Sequence, residues 1–79
     1  MTAEKEPKAS RYPWAEAPDW AEYAATDRDG EAVWYERQPR LSQQFGWWHV
    51  SYGGRQQSVR SEWPVPGVED YKTSLEVRP

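Results

Sequence analysis

The sequence predicts a small, mostly β or α+β domain built on an antiparallel sheet of three to five strands. It adds a disordered N-terminal tail and a short C-terminal helix or helical turn. Three observations carry this. The apolar inventory is aromatic, with six Trp, five Tyr and one Phe against two Leu, no Ile and one Met. Aromatic and β-branched side chains suit a pleated, half-buried surface better than a helix. Two glycine-containing turns, "DRDG" and "GG", lie between strand-like runs. Across residues 46–60 apolar and polar residues alternate, as in a strand with one face on the core.

A chain of 79 residues makes one domain near the lower limit for a self-supporting core. Without cysteine it has no disulfide to staple it. Large rings must supply the buried area, at roughly 150–250 Å² each. No apolar run approaches a membrane span of about 20 residues. The start, "MTAEKEPKAS", lacks the apolar segment of a signal peptide. The expectation is a soluble protein of the cytoplasm.

Residues 1–13 are polar, aperiodic and punctuated by Pro7 and Pro13, so a tail is expected there and a folded domain over 14–79. In "PWAEAPDW" one helical turn can follow Pro13 before Pro18 stops it, with Trp14 and Trp20 docking on the core. "WAEYAATD" and "EAVWYER" flank the "DRDG" turn, where Gly30 can take positive φ and Asp27 can bond the turn backbone. A four-residue loop over 27–30 would face Thr26 with Glu31, Ala25 with Ala32, Ala24 with Val33 and Tyr23 with Trp34. Tyr23, Ala25, Ala32 and Trp34 would then share one face.

Gln38–Phe45 reads as a loop, with Pro39 ending the preceding strand. Gly46–Tyr52 reads as a third strand. Gly53-Gly54 reads as a two-residue hairpin turn, with Arg55–Arg60 returning as a fourth strand. In that register Trp48 faces Val59, Val50 faces Gln57 and Tyr52 faces Arg55. Trp48 would join the core, while Trp47, His49 and Ser51 point outward near Gln56, Ser58 and Arg60. "EWPVPGVED" is a turn-rich connection, with Trp63 covering an end of the sheet. In "VEDYKTSLEVRP" Tyr71 and Leu75 have helical spacing, and Glu69 and Asp70 suit a helix N-terminus.

The net charge of −3 is unevenly spread. Residues 1–36 carry four basic and nine acidic groups, −5; residues 37–60 carry Arg37, Arg40, Arg55 and Arg60 and no acid, +4. Residues 61–79 carry two basic and four acidic groups, −2. A basic, aromatic island therefore lies between acidic flanks.

The groups available for catalysis are few. His49 is the one histidine, and no serine–histidine–acid arrangement is signalled. "DRDGE" is not a calcium loop: Gly30 is fourth from Asp27, where the pattern needs the sixth, and the twelfth residue is Gln38, where it needs Glu. Phosphate-loop, HExxH and dinucleotide patterns are absent. No cofactor or metal is expected, nor an enzyme. Trp, Tyr and Arg are instead the types enriched at interface hot spots. The expected partner-binding residues are Trp47, His49, Arg55, Arg60 and Arg37, beside Trp48. The alternative is a single-stranded nucleic-acid binder whose rings stack bases on the same basic face, although a pI of about 5.1 is not the usual basic footprint.

The residues Trp20, Ala25, Asp27, Asp29, Gly30, Trp34, Tyr35, Pro39 and Trp47, with "SLEVRP" over Ser74–Pro79, form a pattern. It resembles small accessory proteins encoded by tailed bacteriophages. The resemblance implies a non-enzymatic protein that binds and modulates or inhibits a host protein in the bacterial cytoplasm. A WW domain does not fit, because Trp20 and Trp47 stand 27 residues apart.

Overall fold

A computed structural model describes residues 11–51, 53–60 and 64–79. The described residues form a mostly β structure of six short strands: β1 (Tyr23–Thr26), β2 (Ala32–Tyr35), β3 (Arg40–Ser42), β4 (Trp47–His49), β5 (Gln56–Ser58) and β6 (Glu76–Val77). They form a four-stranded antiparallel sheet in the order β5-β2-β1-β6 and a separate β3-β4 pair. Two single 3-10 turns, Trp14–Glu16 and Tyr71–Thr73, are the helical elements among the described residues. The first is the turn expected between Pro13 and Pro18.

The β1–β2 hairpin forms where "DRDG" predicts it, but its register is one residue away from the expected one. Thr26 pairs with Ala32, Ala25 with Val33, Ala24 with Trp34 and Tyr23 with Tyr35. The cause is the turn. Gly30 donates its N–H to the Asp27 carbonyl, Asp27 donates to the Glu31 carbonyl, and Gly30 sits at φ 95°. A glycine at positive φ after such a turn acts as a bulge and takes up one extra residue. A one-residue slip exchanges the faces of β2 relative to β1. Trp34 therefore joins Ala24, Thr26 and Ala32, while Tyr35 joins Tyr23, Ala25 and Val33.

Both faces are covered. On the first, Trp34 is 1% exposed and clusters with Tyr12, Ala21, Ala24, Ala32 and Val65. Its ring centroid lies 4.9 Å from that of Trp14 and 6.4 Å from that of Tyr12. Alanines on β1 and β2 leave room for these rings, and Trp14 and Trp20 dock on the cluster as expected. On the second face Ala25 and Tyr35 are buried. The β3–β4 pair closes over this side: the Tyr35 hydroxyl donates to the Trp48 carbonyl at 3.4 Å.

The Gly53-Gly54 hairpin does not form. β4 pairs back onto β3, within the stretch expected to be a loop, with Arg40 opposite His49, Leu41 opposite Trp48 and Ser42 opposite Trp47. β5 pairs with β2 instead, Trp34 opposite Gln57 and Tyr35 opposite Gln56. Both glycines do take positive φ, 59° and 94°, but they carry the chain from one sheet to the other. A Cβ on Gly54 would stand 2.9 Å from Cγ of Arg37, so the glycine lets the Arg37 side chain pack against the backbone there. Tyr52 and Trp63, and the expectations attached to them, lie outside the described residues.

The two ends of the described chain are joined. Residues 1–10 of the expected tail lie outside the described residues, but Tyr12 is 4% exposed and belongs to the core, so the folded unit begins before residue 14. The Glu76 carboxylate accepts from the Arg11 backbone and Nε, each at 3.0 Å, and from Trp14 Nε1 at 3.0 Å. At the other end Asp70 caps the Tyr71–Thr73 turn by accepting from the Lys72 N–H. The helical turn expected there is present, but it stops at once. Ser74 Oγ accepts from the Thr26 N–H at 2.8 Å, which draws the chain alongside β1 as β6.

Candidate functional site

Strand geometry divides the β3–β4 pair into an inner and an outer face, because successive side chains point to opposite sides. Leu41 and Trp48 form the inner cross-strand pair. Trp48 is anchored there: its indole N–H donates to the Tyr71 carbonyl at 2.9 Å, and its backbone N–H donates to Asp27 Oδ1 at 2.8 Å. A backbone bond from Arg28 to the Gly46 carbonyl, 2.9 Å, fixes the hairpin turn against the β1–β2 turn. The outer face is then Arg40 and His49, Ser42 and Trp47.

Trp47 is 49% exposed and Phe45 54%. Their rings stack at 5.1 Å between centroids with 13° between planes. With Val77 they are the exposed large apolar side chains among the described residues. Gly46, between them at φ 80°, keeps the turn tight; a Cβ there would meet Arg28 Cδ at 2.7 Å. An outward-facing ring pair on a pinned hairpin is a rigid apolar platform, since two-χ aromatics lose little freedom on contact.

Beyond the Arg40–His49 pair the hairpin runs into an open groove of roughly 360 Å³ lined by Arg37, Gln38, Arg40, Val50 and Ser51. Among the described residues no carboxylate lines it. Glu36, next in sequence to Arg37, is engaged elsewhere: it takes two bonds from the Arg55 guanidinium, at 3.2 Å each, and one from the Arg55 backbone at 3.0 Å. Those bonds hold the Glu36 carboxyl below, and the Arg55 guanidinium above, their ordinary values.

Of the residues expected to bind a partner, Trp47 and His49 share the outer face, and Arg37 lies in the adjoining groove. Arg55 and Arg60 are not with them. They flank β5 in the other sheet, and Arg55 is committed to Glu36 and to the face of Trp20, 5.3 Å from its ring centroid. Trp48 is on the inner side, where core membership was expected, although its partners are Leu41 and Tyr71 rather than Val59. Sequence reasoning missed Phe45 and Arg40 as site members, because both lay in the presumed loop. The available signal was "LSQQFGWW", a turn closed by glycine between two short extended runs.

Asp27 holds the hairpin in place at a cost. Burial pushes its carboxyl above the ordinary value; the bond from Trp48 opposes this, and the charges of Asp29 and Glu31 add to it. A raised carboxyl means the fold prefers the protonated form, so native stability falls as pH rises through and above 3.8. Asp27→Asn keeps the acceptor without the charge. Thermal melts should show the variant more stable than the parent at pH 7, with the advantage vanishing by about pH 3, below the ordinary carboxyl value.

The site offers contact chemistry. His49 has no hydrogen bond to Ser51 or to a carboxylate among the described residues, and no group of three or more His, Asp or Glu there is placed to hold a metal ion. No helix among the described residues is long and apolar enough to cross a membrane. Comparison with protein-family models, with curated proteins and with solved structures gives no match.

Proposed function

We propose that the chain is a non-enzymatic binding module whose β3–β4 hairpin docks on another protein. The observation that carries this reading is the stacked, half-exposed Phe45–Trp47 pair on a hairpin fixed from behind by Asp27, Tyr35 and Tyr71. Exposed Trp beside Arg is the composition of interface hot spots, whose removal costs about 2 kcal/mol or more. The resemblance to phage accessory proteins supports a host protein in the bacterial cytoplasm as the partner, with inhibition or modulation as the outcome.

The test compares three immobilised proteins in a bacterial lysate: the parent, Phe45→Ser/Trp47→Ser, and Arg60→Gln as a control outside the face. Binding of the captured protein is then measured directly with purified components. The double variant should lose roughly 30-fold or more in affinity, the equivalent of a hot-spot loss, while the control binds like the parent. A captured protein that binds the double variant equally well would overturn the reading.

A second reading, single-stranded nucleic-acid binding, is favoured by the same rings standing beside Arg40 and Arg28. The acidic flanks weigh against it. Titration with oligo-dT at two salt concentrations separates the two: micromolar, steeply salt-dependent binding belongs to the nucleic-acid reading.

A further inference from the structure

We propose that the groove of Arg37, Gln38, Arg40, Val50 and Ser51 is an anion subsite. It takes a carboxylate side chain from an extended, acidic–apolar segment of the docked protein. The inference rests on the docking reading above and specifies the chemistry of the partner.

Three observations lead to it. Arg40 lines the groove with Arg37, an amide and a hydroxyl, and among the described residues no acid does. Arg40 is exposed on the hairpin's edge and forms no ion pair among the described residues. A planar guanidinium matches a carboxylate fork, and the Gln38 and Ser51 side chains offer further donors. Lastly, Arg40–His49 lies one same-face step along the ladder from Ser42–Trp47. Two residues of strand span roughly 7 Å, so the cationic groove follows the apolar platform at that spacing. An extended peptide presents same-face side chains at the same interval. An apolar residue on Phe45–Trp47 thus places the residue two positions along at Arg40.

The choice of a carboxylate over a polyanion follows from the surroundings. Of the four arginines over residues 37–60, only Arg37 and Arg40 lie at the groove; Arg55 and Arg60 flank β5, and Arg55 is paired with Glu36. A peptide carrying one or two carboxylates matches so small a cationic spot, whereas a phosphate backbone extends past it without further cations to contact.

The test uses the full chain, ¹⁵N-labelled, with two blocked peptides: acetyl-Thr-Leu-Thr-Glu-Thr-amide and its counterpart with Gln in place of Glu. Amide shifts are followed at Phe45 and Trp47 for the platform and at Gln38, Arg40 and Ser51 for the groove. The Glu peptide should move both sets and bind about two- to fivefold tighter than the Gln peptide, as expected for an exposed ion pair. Arg40→Gln should erase that difference while leaving the platform shifts, and Arg40→Lys should restore part of it. Equal affinity of the two peptides, with the platform still shifted, overturns the anion subsite and leaves the docking reading standing. Failure of both peptides to shift either set overturns the subsite; a platform silent to apolar peptides also counts against the docking reading. Inorganic phosphate or oligo-dT moving the groove amides at lower concentration than the Glu peptide overturns the choice of a carboxylate.

Discussion

Replacing Trp34 with alanine is expected to unfold the domain or bring it to the edge of unfolding. Trp34 sits at the centre of β2, 1% exposed, with Ala24 across from it on β1 and the rings of Tyr12 and Trp14 against it. Trp→Ala in a core typically costs about 3–5 kcal/mol, through lost burial and the cavity left behind. A 79-residue domain at roughly 0.05–0.15 kcal/mol per residue has about 4–12 kcal/mol in all. The loss therefore takes a large share of the total, and among the described residues no long aliphatic side chain is buried nearby to relax into the space. Urea unfolding followed by far-UV circular dichroism measures it. Trp34→Phe, which keeps a ring, should lose markedly less. An alanine variant within about 1 kcal/mol of the parent would mean that Trp34 is not the centre of the core.

Replacing Ser74 with alanine is expected to be the most damaging small substitution. Its hydroxyl is fully buried, accepts from the Thr26 N–H at 2.8 Å and reaches the Tyr71 and Thr26 carbonyls at 2.9 and 3.1 Å. Around it, the Tyr12 hydroxyl bonds Thr26 Oγ1 at 2.7 Å and the Ser74 carbonyl at 2.9 Å. These bonds join the start of the described chain, the end of β1 and the C-terminal segment. Alanine leaves the Thr26 N–H buried with no acceptor, and an orphaned buried donor costs about 1–3 kcal/mol. The damage should also be local. Hydrogen exchange at the Thr26 amide should accelerate more than at Trp34, because the bond lost is Thr26's own. Unchanged protection at Thr26 would contradict this role.

The legible parts of the fold were those decided by adjacent residues. Pro13 and Pro18 bracket a single turn, Asp27–Gly30 closes a hairpin, and Asp70 caps a turn, each within a few positions of the residues responsible. Register was harder to read, because a bulge at Gly30 is a backbone choice that the letters "DRDG" share with a simpler loop. Gly53-Gly54 shows the same limit from the other side: positive φ was readable, but β4 is held by Trp48's bonds to the distant Asp27 and Tyr71 and β5 by its pairing with β2, which adjacent letters do not show. β3 and β6, of three and two residues, are too short to show periodicity. β6 exists because Ser74 bonds Thr26, 48 positions away. The candidate surface followed this pattern. Trp47 and His49 alternate with Trp48 in the sequence and remain together, whereas Arg55 and Arg60 were placed beside them only through the hairpin that does not form.

The placing of Trp47 beside Arg40 and Ser42, and apart from Arg55 and Arg60, depends on β4 pairing with β3 while β5 pairs with β2. Proton–proton contacts across strands test this most directly, using the assigned amide and α-protons of the full chain. The predicted result is close contact between Leu41 and Trp48 and between Trp34 and Gln57. Contacts between Trp48 and Val59 and between Val50 and Gln57, with none from Trp34 to Gln57, would contradict it and remove the hairpin on which the docking surface is built.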